Sequence, residues 1–474
     1  MNGKFLGLFA LLLLVGCIHV GPDFKTPETP TQEFWSEESH VIAGNEEIQI
    51  GEWWKNYQDD TLNALIDFAL TENYTLEAAA NRILAARANL GFAIGEYFPQ
   101  TQQAEGSAFN THLSANAPNT LNASRTFWDN ILGLRIIWEL DFWGRFFRGV
   151  QAAYGEYEAS KSDYQDVQRL LISDIVLAYV QQKTFQERIA TYERNIIIQH
   201  RSVEIAKVRW EEGYDSELDY AQAGSLWKES TAQKVALEID LKRVTTSLAI
   251  LLGLTPEEFS NRFFIDSQPI RTPKDAVIGY PAQILCQRPD LRRSLDLLYA
   301  QSARIGIAVS DLFPRISFTG FLGLECAAGT HSTFNQNGKN FFSRNSLTFF
   351  YGPDFAWPLL NYGRLENRIK EQYAILNEGI ALYRNQVLDA YKEVEDALTF
   401  FAKSIEETAN FQDSFNFAKR SVDISTLQYQ EGLADYTRVL NSLQLLIGVE
   451  DDLAQAEGNI GLAYALIYKA FGSY

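Results

Sequence analysis

Methionine is almost missing from this chain: among 474 residues the one Met is the initiator. No methionine-rich stretch is therefore available to a soft metal such as copper. Cysteine is nearly as scarce. The three, Cys17, Cys286 and Cys326, form neither a CxxC pair nor a zinc-finger spacing, which excludes a disulfide scaffold and a structural zinc site. The five histidines, His19, His40, His112, His200 and His331, are scattered, and no HExxH occurs, so the pattern of a zinc hydrolase is absent. Gly338-Lys339 lacks the upstream glycine and the following Ser or Thr of a phosphate-binding loop. Positive charge is short: 41 Lys and Arg stand against 60 Asp and Glu, a net charge of −19, which excludes nucleic acid as a partner because phosphate binding needs a basic face. No apolar run approaches twenty residues, and the mean hydropathy is −0.18. Both exclude a transmembrane helix. Neither excludes a membrane β-barrel, whose strands are short and alternate, and an aromatic content of 13 % keeps that possibility in view.

The N-terminus reads as an address. Lys4 is a short basic region, and Phe5 to Val15 is an apolar stretch too short to span a bilayer. Leu14-Val15-Gly16-Cys17 then has the form of a lipobox, cut before the cysteine, whose thiol takes a diacylglycerol and whose amine takes an acyl chain. Loss of Lys4 with residues 1–16 brings the mature side-chain charge to −20. Ile rather than Asp at position 18 favours the outer membrane. No other cofactor is expected.

An internal repeat organises the body. Ala88 to Ala93 and Tyr97-Phe98-Pro99 match Ala303 to Ala308 and Leu312-Phe313-Pro314 at an offset of 215. Further on the offset is 219: Trp138 matches Trp357, Gly144-Arg145 matches Gly363-Arg364, Gly213 matches Gly432, and Gly253 matches Gly472. These anchors divide the chain into a signal peptide (1–16), a lipidated extension (17–59), repeat one (60–255), a linker (256–285) and repeat two (286–474). Each repeat reads helix, two strands, long helix, helix. The first helices, near 76–97 and 290–313, stop at Pro99 and Pro314, since proline disfavours helix in the residue before it. Period-two segments follow, such as Asn130, Leu132, Leu134, Ile136 and Trp138, of a length that suits a membrane strand. Cys326, at the outer end of such a strand, and Cys286, before a helix, are expected far apart as two separate buried thiols.

The long helices carry a heptad seam. Leu171, Ile175, Ala178, Gln182, Phe185, Ile189, Tyr192, Ile196, Gln199, Val203, Ala206 and Trp210 step by 4, 3, 4, 3, and the positions 219 further on repeat it from Ala390 to Tyr429. Apolar residues off the seam, Val176, Val180, Ile197, Ile198 and Val208, mark a second contacted face. Gly213 and Gly432 sit where a helix ends in a left-handed residue. Ser216 to Asp219 reads as a capping box, and Asp435 as the cap of the second return helix.

With these motifs in place, the chain resembles the TolC family of outer-membrane efflux channels, in its lipidated branch (OprM- and NodT-like). The resemblance is carried by Cys17 with Val20-Gly21-Pro22-Asp23-Phe24, by Trp53-Trp54 before Leu62 to Ile66, by Trp138 to Arg145, by Arg288-Pro289-Asp290-Leu291-Arg292, and by the two glycine turns. It implies a mainly helical fold with membrane β-structure. Three chains each give four strands to one 12-stranded outer-membrane barrel, above a periplasmic α-barrel of coiled-coil-like helices. It also implies a homotrimer that works with a periplasmic adaptor and an inner-membrane RND-type pump. The function implied is a passive exit channel for drugs or other toxic small molecules; metal efflux, type I protein secretion and a non-pore coiled-coil lipoprotein are the alternatives. No enzymatic constellation is present, and with no energy-coupling motif the driving force falls to a partner. Family channels often close at the periplasmic mouth through an acidic pair after the second turn. Arg438 and Asn441 stand at those positions here, with Asp435 the nearest carboxylate. Arg438 corresponds by the offset of 219 to Asp219, which makes an Arg438–Asp219 latch between neighbouring helices a candidate gate.

One expectation is testable on the mature protein alone. Mass spectrometry of its N-terminus should find Cys17 bearing a diacylglycerol and an N-acyl chain; several chains anchor firmly where one holds only marginally. Any unmodified N-terminus, or one elsewhere, contradicts the lipobox.

Overall fold

The computed structural model describes residues 19–30, 34–35, 41–43, 51–116, 125–214, 216–278, 288–329 and 341–472. Cys17 and Cys286 lie outside them; Cys326 is free. Eight helices are described: α1 (Asp60–Glu72), α2 (Tyr74–Gly95), α3 (Arg145–Glu211), α4 (Glu217–Leu251), α5 (Pro256–Arg262), α6 (Pro289–Ser310), α7 (Arg364–Gln430) and α8 (Tyr436–Phe471). Six strands accompany them: β1 (Val41–Ala43), β2 (Thr101–His112), β3 (Thr126–Leu140), β4 (Ala276–Ile278), β5 (Arg315–Gly329) and β6 (Leu347–Ala356). The duplication is visible in these bounds. An offset of 215 carries α2 onto α6 end for end, and 219 carries α3 onto α7. Both long helices have 67 residues, about 100 Å at 1.5 Å per residue. No described helix is long and apolar enough to cross a membrane.

The chain divides into two compact units. The first comprises Met1–Pro27, Leu84–Ala159 and Leu295–Ala381. Its centre is an antiparallel sheet in the order β2-β3-β5-β6, so that each repeat supplies one hairpin and β3 pairs with β5 between repeats. Beside the sheet, the N-terminal segment has a built seat. The buried Arg148 guanidinium donates to the carbonyls of Val20 (3.2 Å) and Gly21 (3.4 Å) and to Asp23 (3.1 Å). Gly21 takes φ +93, and a Cβ there would fall 2.4 Å from the Cα of Gly306, so only glycine allows the chain to lie this close.

The second unit comprises Glu28–Ile83, Ser160–Ser294 and Leu382–Tyr474. It holds a two-stranded parallel sheet, β1 with β4, and an aromatic core that fixes the extension. Trp53 stacks on Tyr468 (5.1 Å, 4°), Tyr57 Oη donates to the Gly461 carbonyl (2.7 Å), and Asn56 donates to Tyr464 Oη (2.7 Å). Trp35, Trp53 and Trp54 are all buried, as the cost of leaving indole in water demands. Burial pushes the Tyr57 and Tyr464 hydroxyls well above the usual tyrosine range. Helix α1 was not anticipated from the sequence. Its start is set by Asp59, whose carboxylate accepts from the amides of Thr61 and Leu62 and from Tyr179 Oη. The segment read as a plain linker contains α5, opened by a true capping box between Thr255 and Glu258. It is tied to α3 by Lys183, buried and paired with Asp266. The heptad seam is realised: all twelve α7 positions are buried or half-buried, as are all of α3 except Trp210. The off-seam face splits. Val176 and Val180 are buried, whereas Ile197, Ile198 and Val208 are exposed.

The Arg288-Pro289-Asp290 motif opens α6 as an ionic node. The guanidinium, 4 % exposed, donates to Asp290 (2.8 Å), Glu393 (2.6 Å) and the Ala470 carbonyl (3.0 Å). Burial alone would raise the Asp290 carboxyl, but Arg288 outweighs it and holds it below the usual range. Arg288→Ala strands that buried carboxylate and should destabilise the unit by roughly 3–5 kcal/mol, read as a lower midpoint of thermal unfolding by circular dichroism. A group with a lowered native pKa stabilises above its unfolded value of about 3.9 and loses that contribution as pH falls through the native one. The gap between variant and native protein should accordingly persist at pH 7 and shrink below about pH 4. Equal midpoints at neutral pH would contradict the node.

Candidate functional site

Two places carry the chemistry of passage: the faces of the four-stranded sheet and the far ends of the helices. Strand residues alternate between faces, and the register sorts them completely. Glu105, Asp129, Arg135, Glu139, Arg315, Glu325 and Asp354 are every Asp, Glu, Lys and Arg of the four strands, and all lie on one face. The other face bears none. It presents Leu132, Leu134, Ile136, Phe318, Leu322, Phe349 and Phe355, with Trp128 and Trp138 towards its two ends. Ten residues separate those tryptophans; at 3.4 Å each and a tilt of about 45° this is roughly 24 Å, the height of the apolar band of a membrane barrel. The ladder runs from β2 through β3 and β5 to β6 over their paired stretches, and the outer edges of β2 and β6 have no neighbour among the described residues.

Below the sheet lie the repeat-junction residues. Gly144 and Gly363 both take left-handed φ (+75 and +79) just before α3 and α7. Trp143 Nε1 donates to the Pro314 carbonyl (2.8 Å) and Trp357 Nε1 to the Leu312 carbonyl (3.0 Å). Each tryptophan thus spans from a strand end to the chain that follows α6. Arg145 reaches Glu139 (3.3 Å) and Asp311 (4.0 Å). Arg364 is exposed.

At the other end, the two turns are built alike. Gly213 and Gly432 have φ +76 and +71. Tyr214 N–H donates to the Arg209 carbonyl and Gly213 N–H to that of Trp210; Leu433 and Gly432 make the same two bonds to Gln428 and Tyr429. This is the Schellman closure, which satisfies carbonyls orphaned at a helix end. Ser216 caps α4 through the Leu218 amide (2.9 Å) and Asp435 caps α8 through the Arg438 amide (3.3 Å). The reciprocal half of a capping box is not made at Ser216, because Asp219 is one methylene shorter than the Glu that serves at Thr255. The turns end neighbouring hairpins. Ala206, Ala223, Leu226, Tyr436, Val439 and Leu443, drawn from α3, α4 and α8, form one buried cluster, with Val422 and Tyr429 of α7 against it.

The gate candidates fall on this tip. Asp435 and Arg438 are exposed, as is Asn441; Asp219 is half-buried. No ion pair within 4.0 Å joins Arg438 to Asp219 in the chain. The Tyr436 hydroxyl nearby is pushed up chiefly by burial, with the Asp219 charge adding to the rise. A feature missed in the sequence is the aromatic bracing of the turns. Trp210 stacks on Tyr220 (5.5 Å, 6°), Tyr429 packs on Tyr436 (5.4 Å, 62°), and Arg209 lies 4.7 Å over Tyr429. The seam showed Trp210 and Tyr429, and their partners four to seven residues past each glycine were the available signal.

A sheet with one charge-free face, built from one strand hairpin per repeat, together with two alike glycine-closed helical turns, defines an outer-membrane channel protein. The family model for outer membrane efflux protein matches residues 65–254 and 280–473, and the chain belongs to that family. It is similar to Nodulation protein T of Rhizobium leguminosarum bv. viciae, 26 % identical over 94 % of this chain and 88 % of that one. It is likewise similar to the solvent efflux pump outer membrane protein SrpC of Pseudomonas putida, 27 % identical over 100 % and 98 %. Among solved structures, the outer-membrane channel OprN superposes with a TM-score of 0.87, at 28 % identity, over 96 % of this chain and 99 % of its own.

The turn geometry makes one prediction. A Cβ on Gly213 meets nothing within 4 Å, so a substitution there is opposed by backbone strain alone. Gly213→Val should cost about 1–2 kcal/mol and Gly213→Asn less. Hydrogen exchange in 205–225 should accelerate in the valine variant and stay near native in the asparagine one. Equal protection in both would show that the left-handed residue is not what holds the turn.

Proposed function

We propose that three copies of this chain close one barrel in the outer membrane and form a passive exit channel. Through it an inner-membrane RND-type pump, joined by a periplasmic adaptor, expels drugs or other toxic small molecules. The observation that carries the reading is the four-stranded sheet with a charge-free face and two bare edges. Four strands cannot close a membrane barrel, since the smallest have eight, and an open edge in lipid leaves backbone groups unsatisfied at several kcal/mol each. Copies of the chain must therefore complete the ladder, β6 of one against β2 of the next, with the charged face inward.

The two copies of the repeat support the same conclusion. In α6, Leu298, Ala303, Ile305 and Ala308 are buried within the chain. In α2 the equivalent positions are less covered: Ile83, Leu90 and Ala93 are half-buried and Ala88 is exposed, and Leu84, Phe92 and Ile94 add exposed apolar surface to the same helix. Gly306 is packed by Arg148, while Gly91 meets nothing. Apolar surface that is covered on one copy of a duplicated helix and partly open on the other is surface that a second chain can cover. The lipid on Cys17 anchors each chain beside the barrel, and similarity to a solvent efflux protein favours small apolar toxicants as cargo. At the distal turns, Arg438 of one chain against Asp219 of the next is the proposed latch.

The purified protein should run near three times the mature chain mass after allowance for detergent, and conduct ions in planar bilayers. A well-behaved monomer without conductance sinks the channel reading. Within it, Arg438→Ala and Asp219→Ala should each raise the resting conductance and sensitise cells to large antibiotics; if neither does, the latch is removed and the channel stands.

A further inference from the structure

On the charged face of the sheet, one band of side chains crosses all four strands. Glu105 of β2 accepts two hydrogen bonds from Arg135 of β3, at 2.8 and 2.7 Å. The Arg135 guanidinium lies 5.5 Å from the ring centre of Phe321 on β5, and Phe321 stacks on Phe350 of β6 (5.8 Å, 24°). Beneath the Phe321 ring, Gly133 and Gly323 stand directly opposite each other in the β3–β5 ladder. A Cβ on Gly133 would fall 2.6 Å from the ring tip and 2.8 Å from the Gly323 Cα, and one on Gly323 2.7 Å from both the ring tip and the Leu132 carbonyl oxygen, so the glycines make room for the ring and for the facing strand. Although no second layer covers this face among the described residues, Phe321 is only 7 % exposed. It is buried by lying down.

We propose that the Gly133–Gly323 pair is a bed that holds Phe321 flat against the wall of the channel, and so sets the bore at that level. The inference rests on the trimeric barrel with its charged face inward, where the band occurs three times at one height. A phenyl ring standing on a strand projects into the lumen along its Cα–Cβ bond, and three such rings at one level would narrow the passage together. Glycine at both positions removes the Cβ atoms that would otherwise prop the ring up, which is the use of glycine where another group must approach the backbone closely. The two flanks keep the ring down. Arg135 is fixed by a bidentate carboxylate and offers its charge to the π face, and Phe350 closes the opposite side. Glu105 also neutralises Arg135, so the ring is held without leaving a lone positive charge in the path of cargo. The same set of contacts would also pin strand register, as aromatic cover of sheet glycines does. Bore and register are separated by asking whether the effect of filling the bed depends on the ring.

Single-channel conductance of full-length protein in planar bilayers decides this, with native protein, Gly133→Ala, Phe321→Ala and the double variant compared. Native conductance tests the channel itself, so its absence would fault that reading and not the bed. Given a conducting native channel, Gly133→Ala should lower conductance by about twofold or more, and removing the ring in the double variant should recover most of that loss, the remainder being the strand shift that the Gly323 Cα imposes. Unchanged conductance in Gly133→Ala, or the same loss with and without Phe321, overturns the proposal and leaves the glycines a role in register only. If Gly133→Ala fails to assemble, Phe321→Trp gives the answer on native glycines. An indole too large for the bed must stand up and reduce conductance, and a native value there overturns the proposal equally.

Discussion

A backbone amide in hydrocarbon must find its partner inside the protein, and the rest of this molecule follows from that requirement. The ladder from β2 to β6 pairs most of the inner strands on both sides and, among the described residues, leaves the outer edges bare. The charged side chains must then stand on the face that does not meet lipid, and every one of them does. The residues that end the strands are fixed by the same need. Trp143 and Trp357 spend their indole N–H groups on the carbonyls of Pro314 and Leu312, where proline has broken α6 and the chain enters the sheet. Below that level water is available, and the design changes to long helices whose backbone groups are satisfied within each element.

Much of this was legible in the sequence because duplication writes every signal twice. The offset of 219 placed both turns and both long helices, since a Schellman glycine and a heptad seam are local properties that survive in any context. The apolar alternation of β3 was equally plain. Its charged counterpart face needed the cross-strand register, which periodicity within one strand does not give. Helix α1 escaped notice because its apolar residues, Leu62, Leu65, Ile66 and Ala69, span barely two turns, too short a window for a period to stand out. Helix α5 was hidden in a segment assigned to the linker although its Thr255-Pro256-Glu257-Glu258 start carries both halves of a capping box.

The gate was the least legible part, for a physical reason. A latch depends on which side chains meet across helices, and offsets within one chain place residues on equivalent helices without saying which pairs touch. Asp219 and Arg438 are equivalent by the repeat, yet one is half-buried and the other exposed, and equivalence alone does not bring them into contact. What the sequence hid and the structure displays is that the tip is braced by aromatic pairs and an apolar cluster. Exposed ion pairs are worth little on their own. An end held together by buried Leu226, Val439 and Leu443 moves as a unit, so a small bias at its surface can act on both hairpins at once.

The asymmetry between the two repeats links these levels. After a duplication, both copies start with the same apolar faces, and each face must still be covered. Here α6 is covered by its own chain through Gly306 and Arg148, while Gly91 and Phe92 of α2 remain open. The long helices divide their faces in the same way: Val176 and Val180 are buried, but Ile197, Ile198 and Val208 are not. Exposed aliphatic side chains grouped on one helix face are the kind of surface that marks an interaction site. On the proposed trimeric reading, the duplicated chain is two pieces of a larger ring fused end to end. One repeat finds its neighbour by covalent linkage, the other by association, and the bare edges of β2 and β6 are the strand-level expression of the same incompleteness.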